Sequence, residues 1–136
     1  MIVVDASVAA KWYLPEPDSQ RAFALLKSRD VLAAPDILEP EVASAITRAA
    51  RRGRLTVAQA RGAADSWLRH LDDELIVLEP VEADIDAAIN LALSMSHGLL
   101  DCLYLALAMR RAAQLITTDA SFVRRSTAVY ARVRSL

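Results

Sequence analysis

Short apolar runs alternate along this chain with longer segments whose apolar residues recur at the spacing of an amphipathic helix. The runs predict strands at residues 2–4, 31–34, 75–78, 115–117 and 129–131. Strands joined through helices cannot form tight hairpins, and such crossovers connect parallel strands. The alternation therefore predicts an α/β fold of three layers, α/β/α, with a central, mainly parallel sheet.

The segments between the strands carry helix start and stop signals. The predicted helices cover residues 6–14, 18–28 and 40–53, a segment capped by Thr56, residues 85–93 and 99–109, and a short stretch after Asp119. Asp18 is the expected N-cap of the second helix.

Length, charge and cysteine content set further bounds. The 136 residues carry a formal net charge of -1 and one cysteine. A chain of this length forms one domain, residues 1–136, and buries roughly two-thirds of its unfolded surface without disulfides. The charge excludes a broadly basic nucleic-acid binder but leaves room for a local basic patch. The single cysteine cannot form an internal disulfide, so we expect a protein of the reducing cytoplasm. No apolar run reaches the roughly 18 residues of a membrane span, so we expect no membrane segment.

Four acids lie directly after predicted strands or at the start of predicted helices. Asp5 and Asp119 follow strands, and Glu41 and Asp101 fall in the first turns of helices. In parallel α/β sheets the ligand site lies beyond the carboxyl ends of the strands, so we expect all four acids at one end of the molecule. Crowded carboxylates repel one another unless a cation is bound, and oxygen ligands suit Mg²⁺ or Mn²⁺.

Asp101 is the most informative of the four acids. It is the one charge between Leu99 and Met109, a segment that is apolar on every side and is therefore expected to be buried. An isolated carboxylate in such surroundings costs several kcal/mol or more unless a cation or a donor compensates it. A metal ion is the leading candidate.

Each candidate residue also has a purely structural interpretation. Asp5 and Asp119 are suitable helix caps, Glu41 can complement a helix dipole, and Ser7 can bond to nearby backbone. Solvent-facing positions are expected for Glu39, Asp72, Asp73, Glu74, Glu82, Asp84 and Asp86. His97 is expected to be a loop or cap residue, and Trp12, Tyr13 and Trp67 to be core or interface aromatics.

The densest basic cluster lies at the end of the third helix and comprises Arg48, Arg51, Arg52 and Arg54. Arg48 and Arg51 are candidate RNA contacts on the rim of the acidic site, because RNA binding draws on phosphate charge. The alternative is an ordinary solvated helix end, where cations are favourable.

Each of the four acids lies in a segment with a pattern of its own: VVDAS (3–7), PEVASA (40–45), LDCLYLALA (100–108) and LITTD (115–119). In this order the segments resemble the four acidic motifs of PIN-domain ribonucleases, specifically the VapC-type toxins of toxin-antitoxin pairs. The resemblance spans essentially the whole chain. One departure is Ser44, where many relatives have Asn.

The resemblance implies a Mg²⁺- or Mn²⁺-dependent endoribonuclease. Its metal-binding and catalytic acids correspond to Asp5, Glu41, Asp101 and Asp119, and its supporting hydroxyls to Ser7 and Thr117. It further implies an RNA substrate, a cognate antitoxin and a homodimer. We expect the antitoxin to cover apolar surface on the first three helices, including Trp12, Tyr13, Phe23, Leu26 and Ile46.

Two other functions are compatible with an acid after the first strand. A phosphotransferase of the haloacid-dehalogenase type places its acid there, but Asp5 has no second acid two residues later and no lysine follows a late strand. A catalytically silent PIN-like binding module would use the acids only structurally. Titration with Mn²⁺ distinguishes the silent module, which should not bind the ion through these residues.

Overall fold

A computed structural model describes all 136 residues and contains one sheet of five parallel strands. The strands are β1 (Ile2–Val4), β2 (Leu32–Pro35), β3 (Val77–Glu79), β4 (Gln114–Thr117) and β5 (Val133–Ser135). Their order in the sheet is β3-β2-β1-β4-β5. The expected parallel sheet is confirmed, with every neighbouring pair parallel.

Seven α-helices connect the strands. They are α1 (Ala6–Ala9), α2 (Ser19–Leu26), α3 (Leu38–Arg51), α4 (Val57–Asp72), α5 (Ile85–Met95), α6 (Leu99–Arg110) and α7 (Ala120–Ser126). From β1 the chain moves to β2 and β3 on one side, then returns to β4 and β5 on the other. Because crossovers between parallel strands are right-handed, this reversal puts α1 to α4 on one face and α5 to α7 on the other. The three-layer fold is confirmed.

Helix α6 is the central packing element. Every residue from Cys102 to Ala108 is buried. The helix contacts β1, β2 and β4 on one side and α5 on the other, which explains why its sequence is apolar all round. No single helix has the length and composition to cross a membrane, and the α5–α6 pair that passes such a test together is bent by 118°.

Helices α3 and α4 pack against each other through the predicted apolar stripes. Val42, Ile46 and Ala49 of α3 are buried, as is Trp67 of α4, whose indole N–H donates to the Glu39 carbonyl at 3.2 Å. The predicted cap at Thr56 is confirmed as a capping box, in which its hydroxyl accepts from the Gln59 N–H at 3.1 Å.

Three predictions about local structure are wrong at the ends of elements. Residues 129–131 form no strand, because the N–H groups of Val129 and Tyr130 both donate to the Ser126 carbonyl and close the turn after α7. The predicted helix over residues 6–14 ends as α1 at Ala9 and continues only as a 3₁₀ turn over Ala10–Trp12. Asp18 precedes α2 with φ of 68° and its side chain does not cap the helix.

Two predictions about exposure are also wrong. Asp84 is buried rather than solvent-facing, because the Arg110 guanidinium donates to both of its oxygens at 2.7 and 2.8 Å. Trp12 and Ile46 belong to the core, and of the apolar surface expected on the first three helices only Phe23 is exposed. Those helices use their apolar faces against the sheet and one another.

The reversal of strand order falls between β1 and β4, and this is where the acidic site forms. Val4 is paired with Ile116, and the Asp5 N–H donates to the Ile116 carbonyl at 3.1 Å. The register therefore sets Asp5 beside Thr117 at the carboxyl ends of the two strands. Such a switch point is the usual ligand crevice of an open α/β sheet.

Candidate active site

A cleft of about 590 Å³ opens at the carboxyl ends of β1 and β4. All four predicted acids line it: Asp5 after β1, Glu41 on α3, Asp101 on α6 and Asp119 before α7. Ser7 also lines the cleft, and Thr117 lies buried beneath it. The structure thus brings together every acid and both hydroxyls that the sequence singled out.

Asp5 is held by hydroxyl groups from both strand ends. Its Oδ2 accepts from Ser7 at 2.7 Å and from Thr117 at 2.5 Å. Asp5 occupies the N-cap position of α1, but its side chain makes no capping hydrogen bond. The helix-cap interpretation of Asp5 is therefore wrong, and its other oxygen, Oδ1, has no donor.

The same two hydroxyls also organise the turn that carries Asp119. The Thr118 N–H donates to Ser7 Oγ at 3.2 Å, and the Asp119 N–H donates to Thr117 Oγ1 at 3.1 Å. Ser7 is thus more than a local backbone partner, since it joins α1 to a turn more than 100 residues away in the chain. The first and last acidic segments form one hydrogen-bonded unit.

Glu41 is held by a residue that the sequence analysis did not assign to the site. The Tyr104 hydroxyl donates to Glu41 Oε2 at 2.6 Å, and the tyrosine is buried on α6. Tyr104 carries the only hydroxyl of the apolar helix and lies one turn after Asp101. This position is the feature of the sequence that could have identified it as a site residue. Its hydrogen bond joins α3 to α6 across the cleft floor.

Asp101 and Asp119 are the more accessible pair. The side chain of Asp101 is 42% exposed, so its expected burial in hydrocarbon is wrong. The reason is its place in the first turn of α6, ahead of the buried run that begins at Cys102. Asp119 does cap α7, since its Oδ1 accepts from the Phe122 N–H at 2.9 Å.

His97 joins these two acids. Its Nε2 lies 2.7 Å from Asp101 Oδ2, and ligand atoms of His97, Asp101 and Asp119 all fall within 4.8 Å of one another. His97 lies in a loop, as predicted, but its contact with the acids was not predicted. The four-residue spacing to Asp101 was the signal that could have found it.

The four carboxylates share one hydrogen-bonding pattern. In each, a single oxygen takes the donor or donors, which leaves Asp5 Oδ1, Glu41 Oε1, Asp101 Oδ1 and Asp119 Oδ2 without one. No buried oxygen of Asp5, Glu41 or Asp101 lacks a partner, so their unbonded oxygens reach the surface of the cleft, and Asp119 is itself exposed there. A set of oriented carboxylate oxygens fits a hard divalent cation.

Burial and mutual repulsion act on the acids. Burial raises the pKa of Asp5, a shift that the hydroxyls of Thr117 and Ser7 oppose and the charge of Asp101 reinforces. Burial also raises the pKa of Glu41, where the Tyr104 hydrogen bond opposes the shift and the charges of Asp5 and Asp101 add to it. A bound cation would relieve both costs.

Basic residues form a rim on one side of the cleft, which we call the basic rim: Lys11, Arg48, Arg52 and Arg54. Glu16 pairs with Lys11 at 3.1 Å and with Arg54 at 3.3 Å, whereas Arg48 and Arg52 are exposed and form no ion pair. Arg51 does not line the cleft. Ser44 lines it beside Glu41.

Comparisons with known proteins found a matching family model and a solved structure of similar fold. The family model described as PIN domain matches residues 2–127. Among solved structures, the chain is similar to Mycobacterium tuberculosis VapC20, a toxin that cleaves the sarcin-ricin loop, with a TM-score of 0.65 at 20% identity over 90% of this chain and 92% of that one. No curated protein sequence matches the chain significantly.

The match to the family model covers all four acidic segments, so it applies to the whole site and not to a fragment of it. The chain therefore belongs to the PIN-domain family, and this membership confirms the class of enzyme expected from the four motifs, a metal-dependent nuclease.

Proposed function

We propose that residues 1–136 form a single PIN-like domain that acts as a Mg²⁺-dependent endoribonuclease, the cytoplasmic toxin of a VapBC-type toxin-antitoxin pair. The observation that carries this proposal is the arrangement of the four carboxylates around one cleft, each with one oxygen fixed by a donor and one oxygen open. Similarity to a toxin that cleaves the sarcin-ricin loop supports RNA as the substrate.

Asp5, Asp101 and Asp119 are the proposed ligands of the cation, through the oxygens that have no donor. The oxygen-only set favours Mg²⁺, with Mn²⁺ as the ion that most readily replaces it. A divalent cation at such a site lowers the pKa of a water molecule and stabilises charge on the scissile phosphate. Ser7 and Thr117 keep the Asp5 carboxylate in one orientation.

Glu41 is the proposed acceptor of the proton from the attacking water, or a ligand through water. Tyr104 holds Oε2, so Oε1 is the oxygen that faces the cleft and takes the proton. The proposed hydrolysis leaves a 5′ phosphate on the product.

The basic rim is the proposed contact surface for the RNA backbone. Arg48 and Arg52 have no acidic partner and border the acidic cleft, so their charge is available to phosphates on either side of the cleaved bond. Arg51, a candidate from the sequence, lies on the same helix but outside the cleft lining, so we assign it no contact at the cleavage point.

A homodimer is the proposed assembly, formed through α5. Ile85, Ile89 and Leu93 are exposed at intervals of four residues and form a continuous apolar stripe along this helix. A separate apolar groove of about 580 Å³ lies between α5 and α6 and is lined by Leu91 and Met109 among others. The stripe offers an apolar surface on which α5 of a second copy can pack about a two-fold axis.

The proposed second partner is an antitoxin that inserts a basic side chain into the acidic cleft. The cleft supports this because its floor carries four acids, and Leu100 at its edge is 49% exposed. A short segment that becomes ordered on binding would cover Leu100 and neutralise the acids at the same time.

The first prediction concerns the carboxylates. Asp5→Asn, Asp101→Asn and Asp119→Asn should each lower RNA cleavage by about 100-fold or more and abolish the rise in melting temperature that Mg²⁺ produces. Cleavage should stop in EDTA. Asp30→Asn, an exposed acid outside the cleft, is the matched control.

Asp5→Asn should also raise the melting temperature at pH 7 without metal. Because burial raises the pKa of Asp5 in the folded state, the charged form destabilises the fold at neutral pH, and this cost disappears as the pH falls below the ordinary value of 3.8. The difference in melting temperature between wild type and Asp5→Asn should vanish at that pH.

Full RNA cleavage by Asp101→Asn would contradict the assignment of the site.

The second prediction concerns the basic rim. Arg48→Ala and Arg52→Ala should each weaken RNA binding and reduce the slope of log affinity against log salt by about 0.7, the value for one lost phosphate contact on a single strand. Arg51→Ala on the same helix is the matched control. An unchanged salt slope in the double variant of Arg48 and Arg52 would remove the rim from the binding surface.

The third prediction concerns the dimer. Leu93→Glu should convert the dimer into a monomer, because it places a charge at the most exposed residue of the apolar stripe. Light scattering at tens of micromolar measures the change. Val57→Glu, which alters an even more exposed apolar residue on α4, should leave the dimer intact. A wild-type monomer under these conditions would refute the dimer.

The fourth prediction concerns the antitoxin. Co-expression with the protein encoded beside this one should yield a stable complex that no longer cleaves RNA. Leu100→Glu should weaken that complex by removing an apolar contact and adding negative charge at the cleft edge, whereas Val57→Glu should not. If co-expression gives neither a complex nor relief of cleavage, the neighbouring protein is no antitoxin.

A further inference from the structure

We propose that His97 is a positioning residue that fixes the Asp101 carboxylate for the divalent cation. The inference rests on the proposed function of the cleft. His97 lies in the connection between α5 and α6, and its side chain is 13% exposed. No motif of the sequence analysis included it.

The hydrogen bond to Asp101 defines what His97 can do. Its Nε2 lies 2.7 Å from Asp101 Oδ2. An ionised carboxylate only accepts hydrogen bonds, so Nε2 carries the proton and donates it to Oδ2. This ring nitrogen is therefore engaged and is not a free metal ligand, while Asp101 Oδ1 is left to face the cleft.

The imidazole ring is itself held in place. It stacks on Phe122 with 4.6 Å between ring centroids and 18° between planes, and Phe122 is fully buried in the core. The His97 N–H donates to the Ala92 carbonyl at the end of α5, which anchors the backbone as well. A ring that is stacked on one face and anchored through its backbone can impose an orientation on its hydrogen-bond partner.

Phe122 connects His97 with the other accessible acid. Its own N–H donates to Asp119 Oδ1 at 2.9 Å, while its ring supports His97. The orientations of Asp101 and Asp119 thus both depend on contacts with one core residue, Phe122. Phe122 supports two carboxylates at the mouth of the cleft, Asp101 on α6 through His97 and Asp119 ahead of α7.

The other three acids show why Asp101 needs such a donor. Asp5 has two hydroxyls, Glu41 has the Tyr104 hydroxyl, and Asp119 has a backbone N–H. His97 is the only donor to Asp101, whose side chain is 42% exposed and has room to rotate without it. Loss of an orienting partner of this kind typically lowers metal affinity about 10- to 100-fold.

Two substitutions separate the donor from the ring. His97→Phe keeps an aromatic ring to stack on Phe122 but has no N–H, whereas His97→Gln keeps an N–H donor at similar reach but has no ring. Mn²⁺ binding, measured by the electron paramagnetic resonance of the free ion, reports affinity without any catalytic turnover. His70→Phe, at the only other histidine, is the matched control.

We expect His97→Phe to bind Mn²⁺ about 10-fold or more weakly than wild type, and His97→Gln to recover most of the affinity. Thermal unfolding of each variant verifies that it is folded. Unchanged affinity in His97→Phe would overturn the proposal, as would a His97→Gln variant no better than His97→Phe. A nitrogen directly coordinated to Mn²⁺ in the wild type would overturn it too, by making His97 a ligand.

These outcomes are distinct from failure of the proposed function. If wild type binds no Mn²⁺, the cleft is not the metal site that the nuclease requires. If wild type binds the ion and His97→Phe binds it equally well, the cleft keeps its function and only the role of His97 is refuted.

Discussion

The parallel pairing of β1 with β4 is the constraint on which the rest of this structure depends. It places two strands far apart in the sequence at the centre of the sheet, and it is where the strand order reverses. The reversal divides the helices between the two faces and leaves a crevice at the carboxyl ends. The hydroxyls of Ser7 and Thr117 meet at Asp5 only because the register aligns Val4 with Ile116.

Helix α6 positions two further acids, Glu41 and Asp101, relative to the sheet. Its buried run packs on three strands, which fixes the height and rotation of the helix above the sheet. Tyr104 then reaches Glu41 from inside the core, and Asp101 emerges at the rim of the cleft one turn earlier. The helix thus positions two polar groups while its residues from Cys102 to Ala108 stay buried.

The far end of α6 is secured by charge. The Arg110 guanidinium bonds to Asp84 and Glu79, and Arg111 bonds to Glu79 at 2.7 Å. Burial alone would raise the pKa of Glu79, but the hydrogen bonds from Arg111 and Arg110 outweigh it and hold the pKa below its ordinary value. Such a cluster is costly to break, because loss of a guanidinium leaves buried carboxylates without compensation. The helix is therefore anchored at the end opposite to the active site.

The amino-acid sequence by itself determined the alternation of strands and helices, the parallel sheet and the identity of the four acids. These follow from local periodicity and from the rule that the carboxyl ends of parallel strands share one edge. The position of the last strand could not be predicted in this way. Residues 129–131 have a strand-like composition, but the N–H groups of Val129 and Tyr130 close a turn on the Ser126 carbonyl. Competition of this kind between local partners is not visible in a pattern of side chains.

Only the tertiary structure decided which groups hold the acids. Thr117 lies 112 residues from Asp5, and Tyr104 lies 63 residues from Glu41, so both hydrogen bonds depend on the register and packing of separate elements. The exposure of Asp101 and the burial of Asp84 were also decided at this level, since each depends on where a helix end meets the surface. Periodicity specifies which face of an element is apolar, whereas the partner of a polar atom is set by how the elements pack.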